Sequence, residues 1–199
     1  MRPFNSARRP GLLLITVAAG LVLAACNGAG AVSAVPTTSA SEPGGGTTTG
    51  DIPDNAVFLT YHGGGPVFSI PYVEGWQVTP QPDGVLVRDK DSSETVAIVG
   101  HQADVAGYVA STDLPALQAQ AGFRLITQDT LAVGGSTYVH LAYHLTSPPD
   151  AVTGKHVPLT VDRYYVSGPN GLAIVSLATP DGVDNVDAFR QMIEGFRWS

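Results

Sequence analysis

The sequence contains a single cysteine, Cys26, which closely follows an apolar run. The run covers 12–23, is preceded by basic residues and ends before the small residues Ala24 and Ala25. A secretory signal has these three parts. Twelve helical residues cover about 18 Å and a stable membrane span needs about 30 Å. The run therefore predicts a cleaved signal peptide over 1–25 rather than a membrane helix.

Leu23-Ala24-Ala25-Cys26 resembles the lipobox of bacterial lipoprotein signals. The resemblance implies that Cys26 carries a diacylglyceryl group on its sulfur, with acyl chains such as palmitate, and becomes the first residue of the mature protein. Two or more acyl chains anchor a protein stably. The predicted location is therefore the extracytoplasmic face of the cell membrane. The alternative is an ordinary signal peptide with a chance cysteine.

Two features of the signal bear on the route of export. The pair Arg8-Arg9 is compatible with twin-arginine export of a folded protein. However, Pro10-Gly11 follows where such signals usually carry an apolar pair. Export of an unfolded chain is the favoured interpretation.

Lipidation of Cys26 would leave no cysteine for a disulfide, so the core alone must hold the fold. Three of the ten basic residues and none of the 17 acidic residues lie in the predicted signal, which gives the remainder a formal charge of −10. This charge argues against nucleic acid as a partner and against a polybasic attraction to anionic lipids. We expect attachment to the membrane to be covalent, through the N-terminal lipid.

The composition divides the rest of the chain into two parts. Residues 26–53 are rich in Gly, Ala, Ser, Thr and Pro and contain no aromatic residue, so they predict a flexible tether. A random coil of this length reaches about 30 Å. Its Ser and Thr residues are candidate glycosylation sites. Residues 54–199 are long enough to form one domain with its own core.

The predicted domain is mostly β. Alternation predicts strands at Phe68-Ser69-Ile70 and Trp76-Gln77-Val78, separated by a corner over 71–75. Further strands are predicted over 85–88, 95–99, 125–133, 137–145, 159–166 and 172–178, with turns at Asp83-Gly84, Lys90–Ser93, Gly134-Gly135 and Asn170-Gly171. These segments predict an antiparallel sheet.

Two helices accompany the strands. Asp113 is predicted to cap a short helix that ends at Gly122. A C-terminal helix is predicted to begin at Asp184 or Asn185. Its apolar stripe consists of Phe189, Ile193 and Phe196, at helical spacing. The fold class is thus predicted to be α+β, an antiparallel sheet covered by helices.

Several segments of the domain are shared with a known family. They are Phe68-Ser69-Ile70 with Glu74-Gly75-Trp76, Gly122-Phe123 after the first helix, the hairpin Val133-Gly134-Gly135, and the terminal segment from Phe189 to Phe196. They resemble the PsbP-like fold, and within it LpqN-type actinobacterial lipoproteins, over essentially the whole domain. The resemblance implies an α/β/α sandwich in proteins that mostly act as non-catalytic accessory or binding subunits.

The chain departs from this family at Val73, because proline usually precedes the acidic-Gly-Trp triplet there. Pro71 lies two residues earlier, so the corner is expected to bend differently. No metal ligand of the family matches a position in this sequence. The resemblance therefore implies no metal site.

His140 and His144 are the leading candidates for a metal-binding pair. In a strand, residues four apart point to the same face about 13 Å apart, which is too far for two ligands of one metal unless another element intervenes. A metal site would need His101, His156 or Asp162 as an extra ligand. The favoured interpretation is two histidines on the polar face of a half-exposed strand, with no metal or cofactor.

Three further features are interpreted as structural. One is the acidic group Asp181, Asp184 and Asp187, whose spacing of three fits helix capping better than a calcium loop. The segment Tyr61–Pro66 is glycine-rich but has no lysine and no helix after it, so it is predicted to be a flexible connection. Trp76 and Trp198 are expected to pack against the core or its edge.

The sequence has no Gly-x-Ser-x-Gly, His-Glu-x-x-His or Ser-x-x-Lys motif, so no enzyme activity is predicted. The first hypothesis is a lipid-anchored accessory or binding subunit that assists a membrane complex such as a transporter. The alternative is a carrier of a small ligand or metal. A third hypothesis, a cell-wall hydrolase, would need a pair of carboxylates that the sequence does not single out.

Overall fold

The structure is a computed structural model that describes residues 50–63 and 68–199. The predicted signal peptide, the lipobox with Cys26 and the tether up to residue 49 lie outside the described residues, and so do residues 64–67. The predictions made for these segments remain predictions. Within the described residues, no helix is both long enough and apolar enough to cross a membrane.

Two antiparallel sheets and three α-helices make up the domain. The strands are β1 Phe58–His62, β2 Phe68–Val73, β3 Gln77–Gln81, β4 Gly84–Asp89, β5 Ser92–Val99, β6 Arg124–Val133, β7 Ser136–Thr146, β8 Pro158–Gly168, β9 Gly171–Pro180 and β10 Arg197–Trp198. The helices are α1 Val105–Tyr108, α2 Leu114–Gln118, joined to α1 by a π-helical turn over Val109–Asp113, and α3 Val186–Gly195. The small sheet has the order β1-β2-β10, and the large sheet has the order β3-β4-β5-β9-β8-β7-β6.

The large sheet buries apolar side chains on both faces. Its first face carries Val85, Val96, Val175 and Tyr164, which pack with the small sheet and α3. Its second face carries Leu141, Tyr143, Tyr165 and Ile174, which pack with Val109 and Leu117 of the α1–α2 segment. The predicted fold class, an antiparallel sheet covered by helices, is confirmed. The small sheet shares the first face with α3.

The turn residues set the register of the large sheet. The predicted hairpins at Asp83-Gly84, Gly134-Gly135 and Asn170-Gly171 all join neighbouring antiparallel strands. Gly171 has a φ of +132°, and a Cβ there would lie 2.3 Å from the carbonyl oxygen of Val99. Only glycine fits this turn, because a side chain would collide with the backbone of β5.

The predicted corner carries the chain from one sheet to the other. β2 runs through Pro71 to Val73 in the small sheet, and β3 begins at Gln77 in the large sheet. The predicted end of the strand at Ile70 was therefore too early. Pro71 is tolerated because proline lacks only the N–H group, and its carbonyl and Cα still fit a strand that pairs with β1.

α2 begins at Leu114, directly after Asp113, as predicted, but the predicted capping role of Asp113 was wrong, because its side chain makes no capping bond and its backbone is already helical. The helical segment begins at Val105, where the side chain of Asp104 accepts a hydrogen bond from the backbone N–H of Gly107 at 2.9 Å. Asp113 lies inside the segment, with its carboxylate turned toward Arg163 of β8. An aspartate can serve either as a helix cap or as a buried ion-pair partner, and the sequence around Asp113 does not distinguish the two roles.

Two polar residues at the start of α3, Asp184 and Asn185, make different hydrogen bonds. Asp184 accepts a bond from the N–H of Val186 at 3.3 Å, as predicted for one of the two candidates. Asn185 makes no capping bond; its side chain accepts from the N–H of Ile52 and donates to the carbonyl of Gly50, each at 2.9 Å. The predicted stripe of Phe189, Ile193 and Phe196 is buried. Asn185 thus fixes the beginning of the described chain against α3.

Candidate functional site

His140 lies between two carboxylates on the first face of the large sheet. Its Nδ1 is 3.0 Å from Asp129 Oδ1 on β6, and its Nε2 is 2.9 Å from Asp162 Oδ1 on β8. Only 6% of the residue is exposed, and its ring packs on Tyr164 with 4.8 Å between the ring centroids. The imidazole therefore links three neighbouring strands across β7.

This geometry favours the charged form of His140. A neutral imidazole has one N–H donor, and an imidazolium has two. Burial of the ring lowers its pKa, but the hydrogen bonds and charges of Asp162 and Asp129 outweigh burial, so the pKa of His140 is raised above its ordinary value of 6.5. The charged ring can donate to both carboxylates at once.

His144 occupies a second polar cluster further along β7. Its Nδ1 is 3.1 Å from Asp181 Oδ1, which also accepts a bond of 2.7 Å from the hydroxyl of Thr160. The hydrogen bond from Thr160 lowers the pKa of Asp181, and His144 contributes in the same direction. The two histidines thus have separate carboxylate partners.

The structure does not bring the candidate metal ligands together. Within residues 50–63 and 68–199, no group of three or more His, Cys, Asp and Glu residues could hold a metal ion. Of the possible extra ligands, Asp162 is bonded to His140, His156 Nδ1 is 2.8 Å from the carbonyl of Ser147, and His101 is exposed. The described residues give no support to a metal bound between His140 and His144.

The other sequence candidates have structural roles. Asp181 binds His144 and Thr160, Asp184 caps α3, and Asp187 lies 3.5 Å from Arg190 in the first turn of α3. Trp76 and Trp198 pack against the first core cluster. Tyr61 and His62 belong to β1, so the prediction of a flexible connection was wrong for these two residues, which pair with β2.

A cleft lies beside the Asp129–His140–Asp162 group. It has a volume of about 310 Å³ and runs between β6 and α3, with Tyr164 and Asp162 in its lining. Its β6 wall consists of Leu131, Ala132 and Val133, and its α3 wall consists of Val186, Phe189, Arg190, Ile193 and Glu194. We call this the α3 cleft.

The α3 cleft combines apolar walls with a few polar groups. Leu131 and Val186 are among the exposed large apolar side chains of the described chain, and they face the cleft from opposite walls. Burial raises the pKa of Tyr164 far above its ordinary value, so its hydroxyl stays neutral. A concave apolar surface with few polar groups is the usual form of a binding site.

Asp129 is the member of this site that the sequence analysis missed. The signal was present in the Gly134-Gly135 turn, because Val133 pairs with Ser136 and the register continues without a break to Asp129 opposite His140. Counting outward from a two-residue turn places these side chains on one face. Asp162 was named only as a possible metal ligand, and its bond to the histidine came from the pairing of β7 with β8.

Comparison with known proteins gave solved structures and nothing else. No family model matches the sequence, and no curated protein matches it. Among the solved structures, the chain is similar to cyanobacterial PsbP (CyanoP) from Synechocystis sp. PCC 6803, with 17% identity, a TM-score of 0.49, and coverage of 72% of this chain and 94% of that one.

Two more structures are similar. A Pseudomonas aeruginosa protein of unknown function has 17% identity and a TM-score of 0.42, with 69% of this chain and 94% of that chain covered. LpqN, described as involved in cell envelope biogenesis of Mycobacterium tuberculosis, has 15% identity and a TM-score of 0.41, with 72% and 91% covered. The similar structures thus include a cyanobacterial PsbP and LpqN, the two kinds of protein that the sequence resembles.

Proposed function

We propose that this chain is a lipid-anchored, non-catalytic binding subunit on the extracytoplasmic face of the cell membrane, which engages a membrane complex such as a transporter through the α3 cleft. The observation that carries the proposal is that two exposed apolar side chains, Leu131 and Val186, line opposite walls of one cleft. The same cleft is also lined by Asp162 and Tyr164. Apolar surface rimmed by polar residues is typical of interaction sites.

The amino terminus supports the location of this activity. A formal charge of −10 after Cys26 gives the protein no electrostatic attraction to an anionic membrane, so the lipid would supply the attachment. A tether with a reach of about 30 Å would let the domain approach the exposed parts of a membrane protein. Nearness to the membrane is then the main contribution of the anchor to binding.

Photocrosslinking in native membranes tests the partner. A photoreactive residue in place of Leu131 should give one discrete adduct with a membrane protein. The matched control is Val152, which is 92% exposed in the loop between β7 and β8 and lies outside the cleft. Equal adducts from both positions, or none from Leu131, would contradict the use of this cleft.

Fractionation tests the anchor separately. Cys26→Ser in the full chain should move the protein from the membrane fraction to the soluble fraction, with the circular dichroism spectrum of the domain unchanged. A high-salt wash of the wild-type membranes should leave the protein bound. A Cys26→Ser protein that stays in the membrane fraction would show that the lipid is not the anchor.

A second candidate function is a carrier of a small ligand. It is favoured by the volume of the α3 cleft, about 310 Å³, which lies at the lower end of the range of small-molecule sites. Native mass spectrometry of the full chain distinguishes the candidates, because a carrier should retain a ligand of constant mass that Leu131→Arg removes. A mass without ligand, together with a specific adduct at Leu131, would favour the accessory subunit.

A further inference from the structure

Strand β6 is the less protected edge of the large sheet. It is ten residues long, whereas the opposite edge strand β3 has five residues and contains Pro80. Proteins commonly protect an edge strand by keeping it short or by placing proline in it. Among the described residues, β6 pairs with β7 alone, so side-chain contacts are the means by which β6 is joined to strands beyond β7.

His140 supplies such a contact. The ring sits on β7 and binds Asp129 on one side and Asp162 on the other, so it ties β6 to β8 as well as to its own strand. Asp129 lies two residues before Leu131 on the same face of β6. The position of Asp129 therefore affects the wall of the α3 cleft.

We propose that protonated His140 fastens the edge strand β6 to the sheet through Asp129, and that loss of its proton frees Asp129 and loosens the β6 wall of the α3 cleft. Protonation of His140 would thus regulate the α3 cleft, and the biological meaning of this regulation rests on the function proposed above. The fastening itself depends only on the three side chains Asp129, His140 and Asp162.

The chemistry follows from the number of donors. A neutral ring has one N–H, so one carboxylate would face a nitrogen lone pair instead of a donor. Asp129 is the carboxylate that leaves, because its side chain is 46% exposed and that of Asp162 is 32% exposed. Asp129 also lies on the edge strand, which has no paired neighbour on its other side within residues 50–63 and 68–199.

Other titratable groups on this face of the sheet and on α3 do not replace the imidazolium. They are Tyr164 on β8, Arg190 and Glu194 on α3, and Tyr138 and His144 on β7. Tyr164 stays neutral because burial raises its pKa, and Arg190 lies close to Asp187. His144 has its own partner in Asp181. His140 is therefore the group whose proton controls the contact with Asp129.

The direction of the pH effect follows from the raised pKa of His140, for which burial acts downward and the bonds to Asp162 and Asp129 act upward more strongly. A group whose pKa is raised in the folded state stabilises that state fully below its unfolded pKa and loses this contribution as the pH rises through the folded pKa. The fastening is closed near pH 6.5 and opens as the pH rises through the raised pKa of His140.

Amide hydrogen exchange on the full chain tests the proposal, with each rate corrected for the intrinsic effect of pH. In the wild type, protection of the β6 amides should fall by about tenfold or more relative to that of the β9 amides between about pH 6 and pH 9. Asp129→Ala should show the lower protection at both pH values. The amides of β9, which is paired on both sides, serve as the internal reference for folding.

His144→Gln is the matched control, because it removes a histidine from the same strand and leaves Asp129 in place. It should retain the pH dependence of β6. The ring nitrogens of His140 in the wild type should both carry protons at about pH 6.5 by ¹⁵N chemical shift. A neutral ring at that pH, or β6 protection that keeps a constant ratio to β9 protection at all pH values, would overturn the proposal. Neither measurement involves a partner, so failure of the crosslinking experiment would leave the result intact.

Discussion

Two buried carboxyl groups, one packed against each face of the large sheet, differ in their hydrogen-bond partners. Asp113, on the second face, accepts from Arg163 Nε at 2.8 Å and Arg163 Nη2 at 2.9 Å, and from the hydroxyl of Tyr165. Glu94, on the first face, is 0% exposed, and neither of its oxygens has a hydrogen-bond partner among the described residues. One site is a complete ion pair, and the other is a carboxyl group in an apolar core.

The presence or absence of hydrogen-bond partners determines whether each buried group is charged. Burial lowers the pKa of Arg163, but its bonds to Asp113 outweigh burial and raise it above the ordinary value, so the guanidinium stays charged. Glu94 lies between Val87 and Leu177 in neighbouring strands, and burial raises its pKa well above 4.5. The first face therefore contains a carboxyl group that resists ionisation, and the second face contains a charge that is fully paired.

Asp113→Ala should give the largest loss of stability. The substitution leaves the guanidinium of Arg163 buried without its bidentate partner and removes the acceptor of Tyr165. Breaking a buried pair from one side costs about 3–5 kcal/mol. Chemical denaturation of the domain should show this decrease in the free energy of unfolding.

Asp104→Ala is the matched control for that measurement. It removes an aspartate from the same helical segment, but Asp104 is an exposed cap that accepts one backbone bond. Loss of such a cap costs about 1 kcal/mol. Equal losses from the two substitutions would mean that the network around Arg163 has no special stability.

Glu94 should make the protein less stable as the pH rises. Because its pKa is raised in the folded state, the folded state binds more protons than the unfolded state above about pH 4.5. The free energy of unfolding then falls by about 1.4 kcal/mol per pH unit until the folded pKa is reached. Denaturation of the wild type at a series of pH values from about 5 upward should show this decrease.

Glu94→Leu should remove the slope below about pH 6.5, where His140 keeps its proton. It should also make the protein more stable than the wild type at higher pH, because an apolar side chain replaces a carboxyl group without partners. Glu74→Gln, which changes an exposed glutamate in the turn before β3, should leave the slope in place. A Glu94→Leu protein with the wild-type pH dependence would assign the slope to another group.

The strands were predictable from the sequence because their turns are encoded locally. Asn170-Gly171 and Gly134-Gly135 fix two hairpins, and with them the register of four strands. β1 and β10 were missed because each depends on pairing with β2, and β10 has only two residues. A strand that exists through a distant partner leaves little local pattern.

The two carboxylates show where local patterns fail. Glu94 occupies a buried position in the polar first half of β5, next to Ser93 and Thr95. The strand predicted over 95–99 began one residue too late to include it. Asp113 was assigned a capping role because its neighbours resemble the start of a helix. Arg163, which decides its role, is 50 residues away in sequence. Contacts of this range depend on the order of strands in the sheet, which the sequence alone does not fix.

Tyr165→Phe should give a smaller loss of stability than Asp113→Ala and separates the hydroxyl from the ion pair. The change removes one donor to Asp113, while Arg163 keeps both of its bonds to that carboxylate and a bond of 2.7 Å to Ser176. Loss of a single hydrogen bond to a charged group costs about 1.5–3 kcal/mol, and the lower end applies because Asp113 keeps other donors. Tyr138→Phe, on the first face, is the control. A loss as large as that of Asp113→Ala would mean that the hydroxyl, rather than the guanidinium, holds Asp113 in place.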